Sequence, residues 1–292
     1  MIFGTVLVAS DLSKASDRLI ERLDGLQRVG ARRAILFHAL GVGRFSDMKA
    51  ELTRRAEPRL REQEQALRRL GFETEVVIAN GSPGKEIHRV AVRRRPSLLV
   101  VGSQEHALTG ELSLGSVTLD TLHRARHPVL VLRLALVEPR HEAAWGAFGR
   151  HVLHPTDFSD PAERAFWLVK RMVEGGLRSV TLLHVQDSAR VERGHHLDEM
   201  NEVDQARLDR LRADLERAGA HFVRTEVAYG SPSDEIVRCA GEIVGTTIVM
   251  ATRGRGVLKR ALLGSVSQQV TRFAEAPVVL VPARPGLAPD GH

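Results

Sequence analysis

Short runs of Val, Leu and Ile alternate with stretches of helical spacing along the whole chain. Thr5–Ala9, Ala34–Ala39, Glu73–Ala79, Leu98–Val101 and Val129–Leu132 read as strands, with the β-branched and leucine-rich content of buried positions. Helices are expected between them: from about Lys14, from Met48 to Leu70, from Ser82-Pro83 to about Arg94, and from about Ser116. The order then starts again. Strands are expected near 151–154, 180–185, 224–228, 246–250 and 278–281. A long helix in this half carries Leu208, Leu211, Leu215 and Ala218, spaced three, four and three, which builds one apolar stripe. Buried-type strands alternating with helices predict an α/β fold with a parallel, doubly wound sheet in each half. Right-handed crossovers put helices on both of its faces.

The two halves are copies. Ser82-Pro83, Gly115-Ser116 and Pro128-Val129 recur as Ser231-Pro232, Gly264-Ser265 and Pro277-Val278, each 149 positions later (231 − 82, 264 − 115, 277 − 128). Asp11, Ser13 and His38 recur as Asp157, Ser159 and His184, 146 positions later. The offsets differ by three residues, so a small indel lies between the second strand and the Ser-Pro pair. A repeat of this length is a duplicated domain rather than a solenoid. The expected division is residues 1–135, a linker at 136–149, residues 150–285, and a frayed tail at 286–292.

Composition narrows the function. The net charge is 42 − 36 = +6. The arginines sit among acids, as in Arg54-Arg55-Ala56-Glu57, which describes a solvated helical face rather than a nucleic-acid stripe. Aromatic residues make up only 4% of the chain, too few for a base-stacking platform. The single cysteine, Cys239, excludes an internal disulfide and reads as a small buried hydrophobe. No apolar run approaches the ~20 residues of a membrane helix. The apolar start, Ile2 to Ala9, matches a strand of the second half and is read as a strand rather than a signal peptide. A cytoplasmic protein without a membrane or nucleic-acid partner is expected.

In open parallel sheets, ligands sit beyond the carboxyl ends of the strands. Ala9-Ser10-Asp11-Leu12-Ser13 and Pro155-Thr156-Asp157-Phe158-Ser159 arrive there, as do Gly102-Ser103-Gln104-Glu105 and Ala251-Thr252-Arg253-Gly254. From Gly254, nine residues lead to Gly264-Ser265 at a helix start. Glycines admit an oxyanion close to backbone amides, and the helix start adds a positive dipole end. Arg253, Arg255, Lys259 and Arg260 add charge. Such a loop suits phosphate. Ser265-x-x-Gln268 also reads as a capping box, and the Ser-Pro pairs as helix caps followed by proline. His195-His196 with Asp198 has no matched copy and reads as a surface cluster rather than a metal site.

These motifs resemble those of a tandem universal stress protein. The family's nucleotide loop, Gly-x2-Gly-x9-Gly-Ser/Thr, is matched at three of four positions in each half, with Ala251 departing in the second and Glu105 in the first. The first-strand Asp of the family is matched by Asp11 and Asp157, and its Gly-Ser-Pro segment by residues 81–83 and 230–232. The resemblance implies two Rossmann-like domains with five-stranded, mostly parallel sheets, docked as a pseudo-dimer through Val129–Leu132 and Val278–Val281. Further homo-oligomerisation is compatible with it.

The same resemblance implies ATP or ADP, with or without Mg²⁺, held mainly by the second half. Thr156 and Asp157 would contact the adenosine end, and the backbone near Val185 would flank adenine. Ala251, Arg253, Gly254, Gly264, Ser265 and Val266 would cradle the phosphates, with a hydroxyl from Ser267. In the first half, Asp11, Gly102, Glu105, Gly115 and Ser116 would form a degenerate site, because the carboxylate of Glu105 repels a triphosphate. The implied function is a nucleotide-binding stress regulator with an unidentified protein partner. A nucleotide-independent scaffold and a slow ATPase are the alternatives, and catalytic residues are expected in neither half.

Overall fold

The computed structural model describes residues 2–41, 46–103, 114–133, 148–191, 197–254 and 263–283. They fall into two compact units that divide between residues 142 and 143.

In the first unit the order is β1 (Thr5–Ala9), α1 (Lys14–Glu21), α2 (Gly25–Arg28), β2 (Arg33–Ala39), α3 (Ser46–Arg69), β3 (Glu73–Ala79), α4 (Pro83–Arg94), β4 (Leu98–Ser103), α5 (Ser116–Arg124) and β5 (Val129–Arg133). In the second it is β6 (His151–Pro155), α6 (Asp160–Glu174), β7 (Ser179–Asp187), α7 (Ser188–Val191), α8 (Leu197–Arg217), β8 (Phe222–Gly230), α9 (Pro232–Glu242), β9 (Thr246–Ala251), α10 (Ser265–Phe273) and β10 (Val278–Val281). The one-turn helices α2 and α7 are too short for periodicity to announce. The others fall where the hydrophobic pattern puts them, within a few residues at the ends.

Each sheet runs in the order 3-2-1-4-5, as β3-β2-β1-β4-β5 and β8-β7-β6-β9-β10. Neighbouring strands are parallel, with Val6 opposite both Ala34 and Leu98, and His151 opposite both Ser179 and Thr246. Val6, Leu7 and Val8 are fully buried, as is Val152, because helices cover both faces. In the first unit α1 packs with α3, and α4 with α5; in the second α6 packs with α8, and α9 with α10. Burial on both faces is what gives parallel strands their unbroken apolar runs.

The Gly-Ser-Pro segments have a backbone cause. Gly81 (φ 139°) and Gly230 (φ 149°) occupy a region closed to L side chains. Ser82 and Ser231 then take the cap position, with proline at the helix start. Neither serine places its side chain on a helix amide, so proline and the glycine turn set these helix entries. Among the described residues no helix is long and apolar enough to cross a membrane.

Candidate functional site

The strand order reverses between β1 and β4, and between β6 and β9. There the chain leaves in opposite directions and opens a crevice at the carboxyl edge. Asp157 follows β6 and Gly254 follows β9, so the fold brings the two exits together.

The exit from β6 is a turn held by side chains. Thr156 N–H reaches Leu183 O at 2.8 Å. Thr156 Oγ1 accepts from Phe158 N–H at 3.0 Å. Asp157 Oδ1 accepts from the Ser159 amide at 3.1 Å and from its hydroxyl at 2.5 Å. Ser159 Oγ in turn caps α6 through Ala162 N–H at 3.4 Å. These bonds force Phe158 into the left-handed region, at φ 57°.

The exit from β1 repeats the turn. Ser10 Oγ accepts from Leu12 N–H at 3.0 Å, and Leu12 lies at φ 62°. Asp11 Oδ1 accepts from Ser13 N–H at 3.0 Å and Ser16 Oγ at 2.6 Å. Partial burial pushes the Asp11 carboxyl up. The hydrogen bonds from Ser13 and Ser16 favour the ionised form and outweigh it, leaving the group below its ordinary pKa.

Gly254 stands against Asp157. A Cβ built on Gly254 would overlap Asp157 Oδ2 and lie 3.3 Å from Cγ. The sequence assigns this glycine to phosphate approach. The structure gives it a nearer duty, which is to leave room for a carboxylate. Ala251, at the family's first glycine position, lies within β9 and has no positive φ. Its methyl group therefore imposes no backbone strain.

The loop from β9 is stapled at its base. Thr252 O accepts from Gly264 N–H at 2.7 Å and from Ser267 Oγ at 2.8 Å, and Ser267 Oγ is also 3.0 Å from Gly264 O. Ser267 is buried with its proton committed to these carbonyls. The hydroxyl, which the sequence assigns to phosphate, closes the loop in this structure. In the first unit Thr118, which matches Ser267 (267 − 118 = 149), bonds through Oγ1 to Gly102 O at 3.0 Å, one residue earlier than the match of Thr252.

The start of α10 is open. Gly264 is the N-cap, at φ −77°, ψ 156°, with no side-chain capping bond, and Ser265 is the first helical residue. The capping box is thus not formed, because Ser265 lies one position too far inside the helix. The first-turn amides of Ser265, Val266 and Ser267 have no intrahelical acceptor. Ser265 is exposed and Val266 partly so. Nearby, Arg253 Nε is buried with no hydrogen-bond partner. Gly115 and Ser116 repeat this open helix start in the first unit. Glu105, Glu111, Arg255, Lys259, Arg260 and the pair His195-His196 lie outside the described residues.

Val185 is partly buried in β7, opposite Ala228. Beside it, His184 Nδ1 lies 2.7 Å from Thr156 O. Its Nε2 lies 3.3 Å from Asp204 Oδ2. Its ring meets Phe158, centroid to centroid, at 4.7 Å. Arg207 sits over Phe158 at 5.2 Å and 3.5 Å from Asp204 Oδ1. The sequence singled out His184 but not Asp204, Arg207 or the ring of Phe158. The repeat held the signal: the 148-residue offset relating buried Leu60 to Leu208 and Leu67 to Leu215 pairs Asp204 with Ala56, so only the second copy has a carboxylate at this position.

Among the described residues one group has metal-ligand spacing, Glu226, Cys239 and Glu242. Arg224 and Arg238 pair with both carboxylates. Burial, with Glu226 and Glu242 nearby, pushes the Cys239 thiol up to about 11. The cluster is an ion-pair network around a protonated thiol.

Known proteins share this architecture. The Universal stress protein family matches residues 3–133 and again 149–282. Universal stress protein MJ0577 of Methanocaldococcus jannaschii is 28% identical over 153 residues, spanning 45% of this chain and 94% of its own. Universal stress protein YxiE of Bacillus subtilis is 31% identical over 138 residues, spanning 43% of this chain and 93% of its own. The crystal structure of a universal stress protein from Archaeoglobus fulgidus DSM 4304 superposes with a TM-score of 0.78 at 26% identity, over 97% of this chain and all of that one. With the same family matched once in each half, the chain belongs to the universal stress protein family as a tandem of two such domains.

Proposed function

We propose that the C-terminal domain binds an adenine nucleotide, ATP or ADP, and that the protein acts as a nucleotide-responsive regulator rather than an enzyme. The observation that carries this reading is the uncapped start of α10, held against Thr252 by Gly264 and Ser267. Three amides without intrahelical acceptors and a positive dipole end suit a phosphate. The partnerless Arg253 Nε supplies a further donor. The donor set therefore fits an anionic tail, and Mg²⁺ would arrive with the nucleotide phosphates. Thr156, Asp157 and Val185 form the nucleoside side. The N-terminal domain keeps the open helix start at Ser116, yet Glu105 places a carboxylate in its loop sequence, so triphosphate binding is assigned to the C-terminal domain. The partner that reads the occupied state is a second protein.

The test is calorimetry and thermal unfolding with ATP and ADP, with and without Mg²⁺. A ligand at 100 times its Kd should add roughly 2.7 kcal/mol to stability. Gly264→Glu should abolish that gain, whereas Gly115→Glu should leave it intact. A protein unmoved by millimolar nucleotide would instead be a nucleotide-independent scaffold.

A further inference from the structure

The strands of the first unit have a second end, away from the crevice, and a cavity of about 240 Å³ lies there. Thr5, Arg33 and Glu73 are the first residues of β1, β2 and β3. They stand side by side, because Thr5 is opposite Arg33 and Arg33 is opposite Glu73. The helix α4 runs back along these strands and ends on Arg93 and Arg94. All five residues line the cavity, together with Glu75. Water takes about 30 Å³ per molecule in the liquid, so the space holds about eight waters, the room of a small organic molecule rather than of a bare ion.

Three guanidinium groups and two carboxylates line this space, a surplus of one positive charge (3 − 2). Arg33 Nε lies 3.5 Å from Glu73 Oε2, and Arg94 Nη2 lies 2.5 Å from Glu75 Oε1. Each contact engages one nitrogen of a guanidinium and leaves its other donors unused. The Arg93 guanidinium has no carboxylate or carbonyl partner among the described residues. The chain leaves α4 through Arg95 at φ 45°, ψ 54°, a left-handed position that glycine ordinarily takes. A third consecutive arginine is thus kept at this helix end against backbone preference.

The second unit does not repeat the surplus. Glu75 is matched there by Arg224, and Arg93-Arg94-Arg95 by Glu242-Ile243-Val244, at the 149-residue offset. Arg33 is matched by Ser179, at the 146-residue offset. The charges of the strand and helix positions are exchanged, and Arg224 meets Glu226 at 2.7 Å and Glu242 at 3.8 Å. The cation of the second copy is therefore neutralised from within the fold, whereas Arg93 of the first is left for something else.

We propose that the cavity between β1–β3 and the end of α4 binds a small phosphate monoester bearing hydroxyl groups, of the polyol or sugar phosphate class. The proposal rests on neither the nucleotide reading nor the start of α10. Arg93 offers a free planar fork to two phosphate oxygens. Arg33 comes from a strand and Arg94 from a helix, so their donors converge from different directions, which suits a tetrahedral anion better than a planar carboxylate. Glu73 and Glu75 orient these two arginines and give the cavity acceptors for ligand hydroxyls, which favours an ester over bare phosphate.

The experiment titrates the isotope-labelled full chain, at constant ionic strength, with glycerol phosphate, inorganic phosphate and sodium acetate in parallel. Amide shifts of residues 33–35 and 73–75 report on the cavity, and those of residues 264–267 on the start of α10. Glycerol phosphate should move the first group saturably and bind more tightly than inorganic phosphate, and acetate should produce no saturable shift. Arg93→Gln should weaken glycerol phosphate binding by about tenfold or more, the loss expected for a hydrogen bond to a charged group. Its melting temperature should match the wild type, because Arg93 is exposed. Arg33→Gln should weaken binding likewise and serves as the second variant should Arg93→Gln fail to fold. Shifts that never saturate, that are confined to residues 264–267, or that survive both substitutions overturn the site. Equal affinity for inorganic phosphate overturns the ester assignment, and equal affinity for acetate overturns the phosphate class.

Discussion

Asp157 Oδ2 occupies the place where any side chain at position 254 would begin. The residues are 97 positions apart (254 − 157) and leave adjacent parallel strands. Gly254→Ala should therefore push the carboxylate aside and loosen its bonds to Ser159. A cost of about 1 kcal/mol is expected, because the displaced atom is the end of a movable side chain. ADP affinity should drop together with stability. Adding Asp157→Ala should recover most of the stability but not the affinity. Urea unfolding of the two single variants and the double variant, read as a cycle, checks this, and simple additivity would contradict the contact.

His154 makes the second domain sensitive to acid. It is fully buried, with Nδ1 on Val249 O at 2.8 Å and Nε2 without a partner. Burial lowers its pKa to about 4, against partial opposition from the Val249 carbonyl and the charge of Asp157. Below pH 6.5 the unfolded chain takes up a proton that the folded chain refuses until about pH 4. Stability is thus full above 6.5 and is lost as pH falls through that window, to a total of about 3 kcal/mol. His154→Val, which installs the residue present at Val8 (154 − 8 = 146), should remove this slope. Unfolding midpoints at pH 5 and pH 7 provide the measurement.

Ser265 and Ser267 should separate binding from folding. Ser265 is exposed and caps nothing, so Ser265→Ala should leave the melting temperature unchanged and weaken only nucleotide binding. Ser267 holds Thr252 O and is buried, so Ser267→Ala should cost about 1 kcal/mol of stability before any effect on ligand. Thermal melts of the two variants without nucleotide distinguish them, and equal melting temperatures would mean that the staple carries no weight.

Two glycines, Gly230 ahead of α9 and Gly241 inside it, should respond in opposite directions to alanine. Gly230 has φ 149° and faces Glu235 at 3.4 Å, so Gly230→Ala is strained, at about 1–3 kcal/mol. Gly241 lies inside the helix, exposed, with open space where a Cβ would go. Gly241→Ala should stabilise by about 0.5–1 kcal/mol. Chemical denaturation of both variants tests the sign.

The sequence made the strands legible because parallel strands buried on both faces leave no polar alternation to confuse with a helix. Their ends located Asp157, Gly254 and Gly264 at one edge, since the duplicated spacing marked which residues recur. Side-chain duties were harder to read. Ser265 fits the capping pattern, yet the helix begins one residue early and gives the cap to Gly264. Ser267 resembles a ligand contact, yet its hydroxyl closes the loop. Nothing local couples Asp204 to His184, because that contact depends on how α8 lies across β7. His154 reads as a strand residue among others until its complete burial is known.

Leu12 and Phe158 adopt the same left-handed turn with unlike side chains and unlike restraints. The backbone shape at the mouth of each crevice is thereby uncoupled from what secures it. One turn is fastened by a chain of amide and carboxylate groups, the other by a tilted pair of rings and an ion pair. A substitution that loosens one fastening should therefore leave the other in place, so turns of common outline can diverge within a single polypeptide.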